Sequence, residues 1–117
     1  MNEKICFVSI DVEEDYIDDQ TVDSLDGVKQ LSDLDKLWSK YNISTTWFCT
    51  GKVLDHYKDL LNKQKNKGHE MALHGFYDHV NIEKQEEKKR KENLDKHLRL
   101  FKKTFGKDPV GFRAVQN

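Results

Sequence analysis

The segment "GHEMALHGFYDHVN", Gly68 to Asn81, contains the residues of this chain whose type and spacing point most directly to chemistry. His69, His74 and His79 recur at steps of five around a short apolar run that is typical of a buried strand. Imidazoles bind divalent metals, transfer protons or fill polar positions in a core. A lone histidine in a loop is more often a surface or hydrogen-bonded residue than a ligand, so its assignment depends on the residues that accompany it.

The apolar pattern predicts four strands that alternate with three helices. Short apolar runs predict strands at residues 5–10, 43–50, 69–73 and 108–112. Amphipathic periodicity predicts helices at residues 27–41, between Gly51 and Gly68, and between Asn81 as N-cap and Gly106 as terminator. The order βαβαβαβ indicates an α/β fold with a parallel sheet and helical crossovers. In such folds ligands bind at the carboxyl ends of the strands.

Residues whose side chains can take part in catalysis or metal binding follow each of these strands. They are Asp11, Glu13 and Glu14 after the first strand, Thr50 after the second, His74 and His79 after the third, and Arg113 in the fourth unit. Two imidazoles and one carboxylate can supply three protein ligands to a divalent metal and leave one position open for water. Such a metal activates water and polarises an amide or ester carbonyl, while an arginine can hold a second carboxylate ionised.

Several of these residues also have simpler interpretations. The stretch 11–26 has eight carboxylates and no basic residue, which is compatible with a solvated loop, a calcium site or an acidic patch for a partner. His69 opens its strand and is predicted to lie at the opposite end from His74, while His56 and His97 are predicted on outward or rim positions of helices. Core positions are predicted for Trp38, Trp47, Phe48 and the helical leucines.

Composition limits the class of protein. The 117 residues are the size of one domain, and the net charge of -1 with interleaved lysine and glutamate argues against a nucleic-acid partner. No run approaches the roughly 18 apolar residues of a membrane span, and carboxylates follow the N-terminus too closely for a signal peptide. We therefore expect a cytoplasmic protein without a membrane partner. Cys6 and Cys49 lie in strand-like runs and are expected to be buried free thiols.

Four segments, taken in order, resemble the motifs of a known family. They are "SIDVEEDY", "ISTTWFCTGKVLDHY", "GHEMALHGFYDH" and "GFRAV", and they extend over essentially the whole chain. Together they are similar to the polysaccharide deacetylase family, the NodB-like domain of carbohydrate esterase family four. The resemblance implies a distorted (β/α) barrel and the metal-dependent removal of acetyl groups from acetylated sugars, with zinc as the expected divalent metal.

The resemblance also implies roles for individual residues. By position, Asp11 is similar to the general base, His74 and His79 to metal ligands, and Arg113 to the residue that orients the base. In the commoner form of the family the base and the metal carboxylate are adjacent aspartates. Here Val12 follows Asp11, so Glu13 is the expected metal ligand.

The chain departs from the family pattern at three places. His74 and His79 are five residues apart instead of the usual four, so the loop must bulge or another residue such as Asp78 must contribute. Val115 stands where a proline usually follows the Arg-Ala pair of the arginine motif. The sequence ends at Asn117, before the later strands and the later motif that carries the catalytic acid histidine. We therefore expect residues 1–117 to be the N-terminal portion of the domain, about four βα units of an incomplete barrel.

Three functional hypotheses follow. The first is a metal-dependent hydrolase that removes acetyl groups from acetylated amino sugars or polysaccharide. The second is a truncated or degenerate member that keeps the fold as a non-catalytic metal-binding or interaction module. The third is a hydrolase of another amide, including a cyclic one, because the Asp-Val-acid form is similar to such relatives. In each case an open sheet edge would expose unpaired backbone, which a second copy of the chain could cover.

Overall fold

Four parallel strands form the sheet that carries the candidate site. The computed structural model describes residues 3–17 and 20–115. Its strands are β1 (Ser9–Val12), β2 (Tyr16–Ile17), β3 (Gln20–Thr21), β4 (Thr46–Cys49), β5 (Glu70–His74) and β6 (Phe112–Arg113). β1, β4, β5 and β6 lie side by side in that order and are all parallel, while β2 and β3 form a small antiparallel hairpin. The predicted α/β fold with a parallel sheet is confirmed.

Helices connect the parallel strands, as the periodicity predicts. They are α1 (Asp26–Lys29), α2 (Leu31–Lys40), α3 (Gly51–His56), α4 (Lys58–Asn66) and α5 (Glu87–Phe105), with a 3₁₀ turn at Ile82–Lys84. Asn81 caps the 3₁₀ turn instead of α5, because its side-chain oxygen accepts the Glu83 N–H at 2.9 Å. Gly106, at a φ of 73°, ends α5 as predicted. No helix in the described ranges is long and apolar enough to cross a membrane.

β1 differs most from its predicted boundaries. The apolar run at residues 5–10 predicts a strand, but β1 begins at Ser9, where its pairing with β4 begins. The preceding residues extend past the neighbouring strand, so Phe7 is 92% exposed. Cys6 is exposed for the same reason, and the prediction that it is buried is wrong, whereas Cys49 is buried as predicted.

The main sheet has one face packed against the helices and one open face in the described part of the chain. Successive side chains of a strand point to opposite faces. The register places on the packed face the buried residues Val12, Trp47, Cys49, Met71 and Leu73. The same register places on the other face Ser9, Asp11, Phe48, His74 and Arg113. Phe48 was predicted to be a core residue, but its position on this open face leaves it only partly buried.

The core lies between the packed face and the helices. The helices contribute Val28, Trp38, Val53, Leu54, Leu61, Phe101 and Phe105. The core positions predicted for Trp38 and Trp47 are confirmed. Leu34 and Leu37 are 36% and 51% exposed, so the prediction that they are core residues is wrong. The reason is the orientation of α2, which turns Asp35 and Trp38 inward.

The sheet does not close within the described residues. β1 and β6 are its outer strands, and each pairs with one neighbour in the sheet. The described chain is therefore an open part of a (β/α) barrel-like fold. Apolar side chains lie exposed near both edges, among them Phe7 beside β1 and Val110 and Phe112 at β6. The prediction that a second copy of the chain covers these edges stays a prediction.

His69 lies at the amino-terminal end of β5, away from the candidate site, as predicted. Its Nδ1 accepts the Thr45 backbone N–H at 3.1 Å, so its Nε2 carries the proton and donates to Asp35 Oδ1 at 3.2 Å. Trp47 Nε1 donates to the Thr45 hydroxyl at 2.8 Å. This buried network ties α2 to β4 and β5, which gives His69 a structural role.

His97 on α5 is buried, and the prediction of an outward or rim position is wrong. Only 1% of its surface is exposed, and its Nδ1 donates to the Gly75 carbonyl at 3.0 Å. His97 shares the inward face of α5 with Phe101 and Phe105, at steps of four residues. Burial lowers the pKa of His97 to about 4, although the hydrogen bond to Gly75 opposes this shift.

We expect the burial of neutral His97 to make stability depend on pH. Its folded pKa of about 4 lies below the ordinary value of 6.5. The stability that depends on this neutral side chain is therefore fully present above about pH 6.5 and is lost as the pH falls through about 4. A difference of about 2.5 pKa units corresponds to about 3 kcal/mol.

This contribution can be isolated with a His97→Gln variant. The difference in unfolding free energy between wild type and variant, measured by urea denaturation, should shrink by about 3 kcal/mol between about pH 7 and about pH 4. The same measurement on a His56→Gln variant, which changes an exposed histidine of α3, controls for the loss of a histidine at the surface. If the His97→Gln difference did not change with pH, the buried neutral state of His97 would be disproved.

Candidate metal centre and active site

The carboxyl ends of the strands bring the predicted site residues together. Asp11 lies on β1 and Glu13 directly follows that strand, while His74 ends β5 and Arg113 ends β6. His79 lies in the loop after β5 and returns to the same place. The five residues to which the family resemblance assigns roles therefore meet at this edge of the sheet.

Glu13, His74 and His79 present three potential ligand atoms to one another. Glu13 Oε2 is 2.8 Å from His74 Nε2 and 3.0 Å from His79 Nε2. One such atom from each of the three residues lies within 4.8 Å of the other two. The ligand atoms of a tetrahedral zinc ion, with bonds of about 2.0–2.1 Å, are about 3.3 Å apart. The two distances from Glu13 Oε2 differ from this separation by only a few tenths of an ångström, and the three residues fit the ligand set of a small divalent metal.

The other ring nitrogen of each histidine is held outside this cluster. His74 Nδ1 donates to the Arg113 carbonyl at 3.0 Å. His79 Nδ1 lies 3.3 Å from the Tyr16 hydroxyl, and the Tyr16 ring meets the imidazole edge-on. Donation from His74 Nδ1 to the Arg113 carbonyl leaves the His74 Nε2 lone pair free to bind a metal, so the contact favours the ligating tautomer of His74. The Tyr16 hydroxyl can donate or accept, so its contact orients the His79 ring without fixing its tautomer. Tyr16 had no assigned role from sequence, because the β2–β3 hairpin that positions it lies in a stretch predicted to be a loop.

The electrostatic environment of His74 favours a positive charge. Burial lowers the pKa of His74, but its hydrogen bond to Glu13 and the negative charges of Asp11 and Glu13 raise the pKa by more than burial lowers it, so the net pKa is above the ordinary value. The same carboxylates favour a bound cation. A metal must displace a proton from this site, so metal binding should weaken at acidic pH.

Asp11 and Arg113 form an ion pair beside the cluster. Arg113 Nη1 donates to Asp11 Oδ1 at 2.7 Å, and Nη2 donates to the Ser9 hydroxyl at 2.8 Å. The guanidinium carbon lies 3.9 Å from the centre of the Phe48 ring, which adds a cation–π contact. The second oxygen of Asp11, Oδ2, lies 3.9 Å from His74 Nε2 and so faces the cluster. Asp11 is thereby held with one oxygen paired and the other directed at the candidate metal position.

The loop between the two histidines bulges to accommodate their five-residue spacing. Gly75 has a φ of 53°, and a Cβ at this residue would lie 2.7 Å from Val115 Cγ1. The carbonyls of Phe76 and Tyr77 accept the first backbone N–H groups of α3, each at 2.8 Å. Asp78, the alternative ligand, is exposed and pairs with Lys52 instead of joining the cluster. Of the two explanations for the spacing, the structure therefore supports the bulge.

Comparison with known proteins assigns the chain to a family. The sequence model of the polysaccharide deacetylase family matches residues 18–115. The chain belongs to the polysaccharide deacetylase family. The match includes His74, His79 and Arg113 but begins after Asp11 and Glu13, which only the geometry joins to them.

Relatives within and around this family support the same fold. A peptidoglycan deacetylase of Helicobacter pylori is 32% identical over 101 residues, which cover 86% of this chain and 34% of that protein. The Xyl-CE4 domain of a multidomain xylanase from the hindgut metagenome of Trinervitermes trinervoides has a TM-score of 0.75 at 19% identity, covering 97% of this chain and 49% of that one. Puue allantoinase has a TM-score of 0.66 at 20% identity, covering 70% of this chain and 27% of that one.

This chain is short beside these proteins. It spans about a third of the length of the curated relative and no more than about half of either solved structure. The structural likeness extends across β1 to β6, so the shared part of the fold includes the strand ends that carry the candidate site.

Proposed function

We propose that this member of the polysaccharide deacetylase family is a metal-dependent hydrolase that removes acetyl groups from acetylated amino sugars. The observation that carries the proposal is the convergence of Glu13, His74 and His79 on one point, next to the Asp11–Arg113 ion pair. A metal site and a held carboxylate are the two parts that hydrolysis of an amide needs at one place.

The metal of this proposal is zinc, bound by Glu13, His74 and His79. Two imidazole nitrogens and one carboxylate oxygen are a set of ligands that zinc accepts in catalytic sites, where water or substrate takes the remaining position. Bound there, a zinc ion would supply a Lewis acid that activates water and polarises the acetyl carbonyl. The hydrogen bond from His74 Nδ1 to the Arg113 carbonyl supports this assignment, because it leaves the Nε2 atom of His74 available.

Asp11 acts in this proposal as the general base. Its Oδ2 faces the cluster, where it can accept a proton from the attacking water. Arg113 acts as a positioning residue, because its hydrogen bond to Oδ1 orients the carboxylate. The Phe48 ring contacts the guanidinium through a cation–π interaction, and the Ser9 hydroxyl accepts a hydrogen bond from it, so both contacts fix its position.

The proposed substrate class is a polymer of acetylated amino sugars. The name of the Helicobacter pylori relative, a peptidoglycan deacetylase, supports this choice.

The experiment that tests this function is acetate release by the zinc-loaded chain from oligomers of N-acetylglucosamine. Release should require the metal, stop when a chelator removes it, and return when zinc is added back. Zinc binding without any release would disprove the proposed activity for this chain.

A cyclic-amide hydrolase is the second candidate. The Asp-Val-acid order of residues 11–13 and the likeness to Puue allantoinase favour it. Hydrolysis of allantoin, assayed in parallel with acetate release, separates the two. Activity on allantoin alone would replace the first proposal with this one.

A non-catalytic metal-binding module is the third candidate. A deacetylase must protonate the leaving amine, and in the described part of the chain the remaining histidines lie away from the cluster. His56 is exposed on α3, His69 lies at the far end of β5, and His97 is buried behind Gly75. One zinc ion per chain with neither acetate release nor allantoin hydrolysis would support this candidate.

A further inference from the structure

Glu14 is a buried carboxylate that the proposed chemistry does not use. It follows Glu13 in the sequence, but its side chain turns the other way and is 5% exposed. Its Oε1 accepts the backbone N–H of His79 at 3.1 Å, and its Oε2 accepts the Thr50 hydroxyl at 3.1 Å. Glu14 therefore connects the end of β1 with the end of β4 and with the residue that carries the second imidazole.

The burial of this carboxylate needs an explanation, because a buried charge is costly without partners. Within residues 3–17 and 20–115, neither oxygen of Glu14 lies in an ion pair, and both accept hydrogen bonds from neutral donors. Charge-assisted hydrogen bonds of this kind are stronger than those between neutral groups. Glu14 therefore fixes the positions of both groups that donate to it, the Thr50 hydroxyl and the backbone N–H of His79.

The loop from Gly75 to His79 depends on this hold in its second half. In its first half, α3 binds the carbonyls of Phe76 and Tyr77. In its second half, Glu14 accepts the backbone N–H of His79, and among the described residues this is the hydrogen bond that joins the His79 backbone to another element. The loop is longer than a tight turn requires, so its second half could otherwise swing the imidazole away from Glu13.

We propose that Glu14 is a positioning residue, which holds the His79 backbone so that its imidazole completes the metal site. This inference rests on the proposed metal-binding function. Glu14 acts through His79 and is not itself a ligand, since it does not belong to the group of converging ligand atoms. Residues that orient metal ligands typically change metal affinity about 10–100-fold when they are mutated.

Four variants test the hydrogen bond separately from the charge and from the fold. Glu14→Ala removes the acceptor. Glu14→Gln keeps an oxygen for the His79 N–H and an amide that can donate to the Thr50 hydroxyl. Glu14→Asp keeps the charge but is one methylene too short to reach the loop. Thr50→Val removes the other partner of Glu14 without touching the contact to His79.

The measured quantity is the Kd of zinc, obtained by competition with a chromogenic chelator, together with the visible spectrum of the cobalt-substituted protein. Glu14→Ala and Glu14→Asp should weaken zinc binding about 10–100-fold and alter the cobalt bands. Glu14→Gln and Thr50→Val should bind within a few-fold of wild type and keep those bands. If Glu14→Ala does not fold, Glu14→Asp carries the test.

The outcomes separate this inference from the proposed function. Wild type that binds zinc, together with Glu14→Ala or Glu14→Asp that binds equally well, would overturn the positioning role and leave the proposed function standing. Glu14→Gln as weak as Glu14→Asp would overturn it too, because a variant that keeps the hydrogen bond to His79 would then bind zinc as poorly as one that loses it. Wild type that binds no zinc would overturn the proposed function itself, and the role of Glu14 with it.

Discussion

Replacing Asp11 with asparagine is expected to lower acetate release about 10²–10⁴-fold while leaving one zinc ion bound per chain. Asparagine has nearly the shape of aspartate and still offers an oxygen to Arg113, but it cannot take a proton from water. The metal ligands are other residues, so metal binding should persist. The measurement is the rate of acetate release at saturating zinc, with zinc content determined on the same samples.

The matched control for Asp11→Asn is Asp78→Asn. Asp78 also lies near the histidine loop, but it is exposed and pairs with Lys52. Its replacement should leave the rate within a few-fold of wild type. Undiminished acetate release by Asp11→Asn would remove Asp11 as the base and would direct attention to Glu13, the other carboxylate that touches His74.

Loss of both imidazoles, in a His74→Ala/His79→Ala variant, is expected to abolish zinc binding. Two of the three proposed ligands are removed, and the single carboxylate of Glu13 cannot hold zinc against a chelator. The loss should exceed the roughly 10–100-fold effect of changing a residue that only orients a ligand. Elemental analysis after dialysis measures it directly, with about one zinc ion expected per wild-type chain.

His56→Ala serves as the control for this double variant. His56 is a histidine of the same chain, but it is exposed on α3, and its Nδ1 donates to the Lys52 carbonyl of its own helix. Its loss should leave the zinc content unchanged. Zinc retained by the double variant would place the metal elsewhere in the protein and would contradict the proposed site.

Local patterns were sufficient to predict the strands of the main sheet and the residues at the carboxyl ends of those strands. Alternating strands and helices imply parallel strands, and parallel strands bring their carboxyl ends together. Asp11, His74 and Arg113 could therefore be placed at one edge without knowledge of any distance. His69 could be placed at the opposite end by the same rule, because it directly precedes the strand that His74 ends.

Periodicity was less reliable where packing from distant parts of the chain decides burial. The pattern of residues 5–10 is that of a buried strand, yet Cys6 is exposed because the neighbouring strand begins too late to cover it. His97 is polar and helical, yet it is buried because the Gly75 carbonyl meets its ring. Leu37 is exposed because α2 is rotated toward Asp35 and Trp38. In each case the deciding contact joins residues far apart in sequence.

The sequence by itself determined the fold class, the family and the set of residues that can do chemistry. Only the tertiary structure decided which of these side chains lie together and which are directed elsewhere. Glu13 and Glu14 are adjacent and chemically alike, but one faces the histidines and the other is buried under the His79 backbone. The physical reason is that residue type and spacing record local preferences, whereas the direction of a side chain after a strand depends on donors that arrive from β4, β5 and the histidine loop.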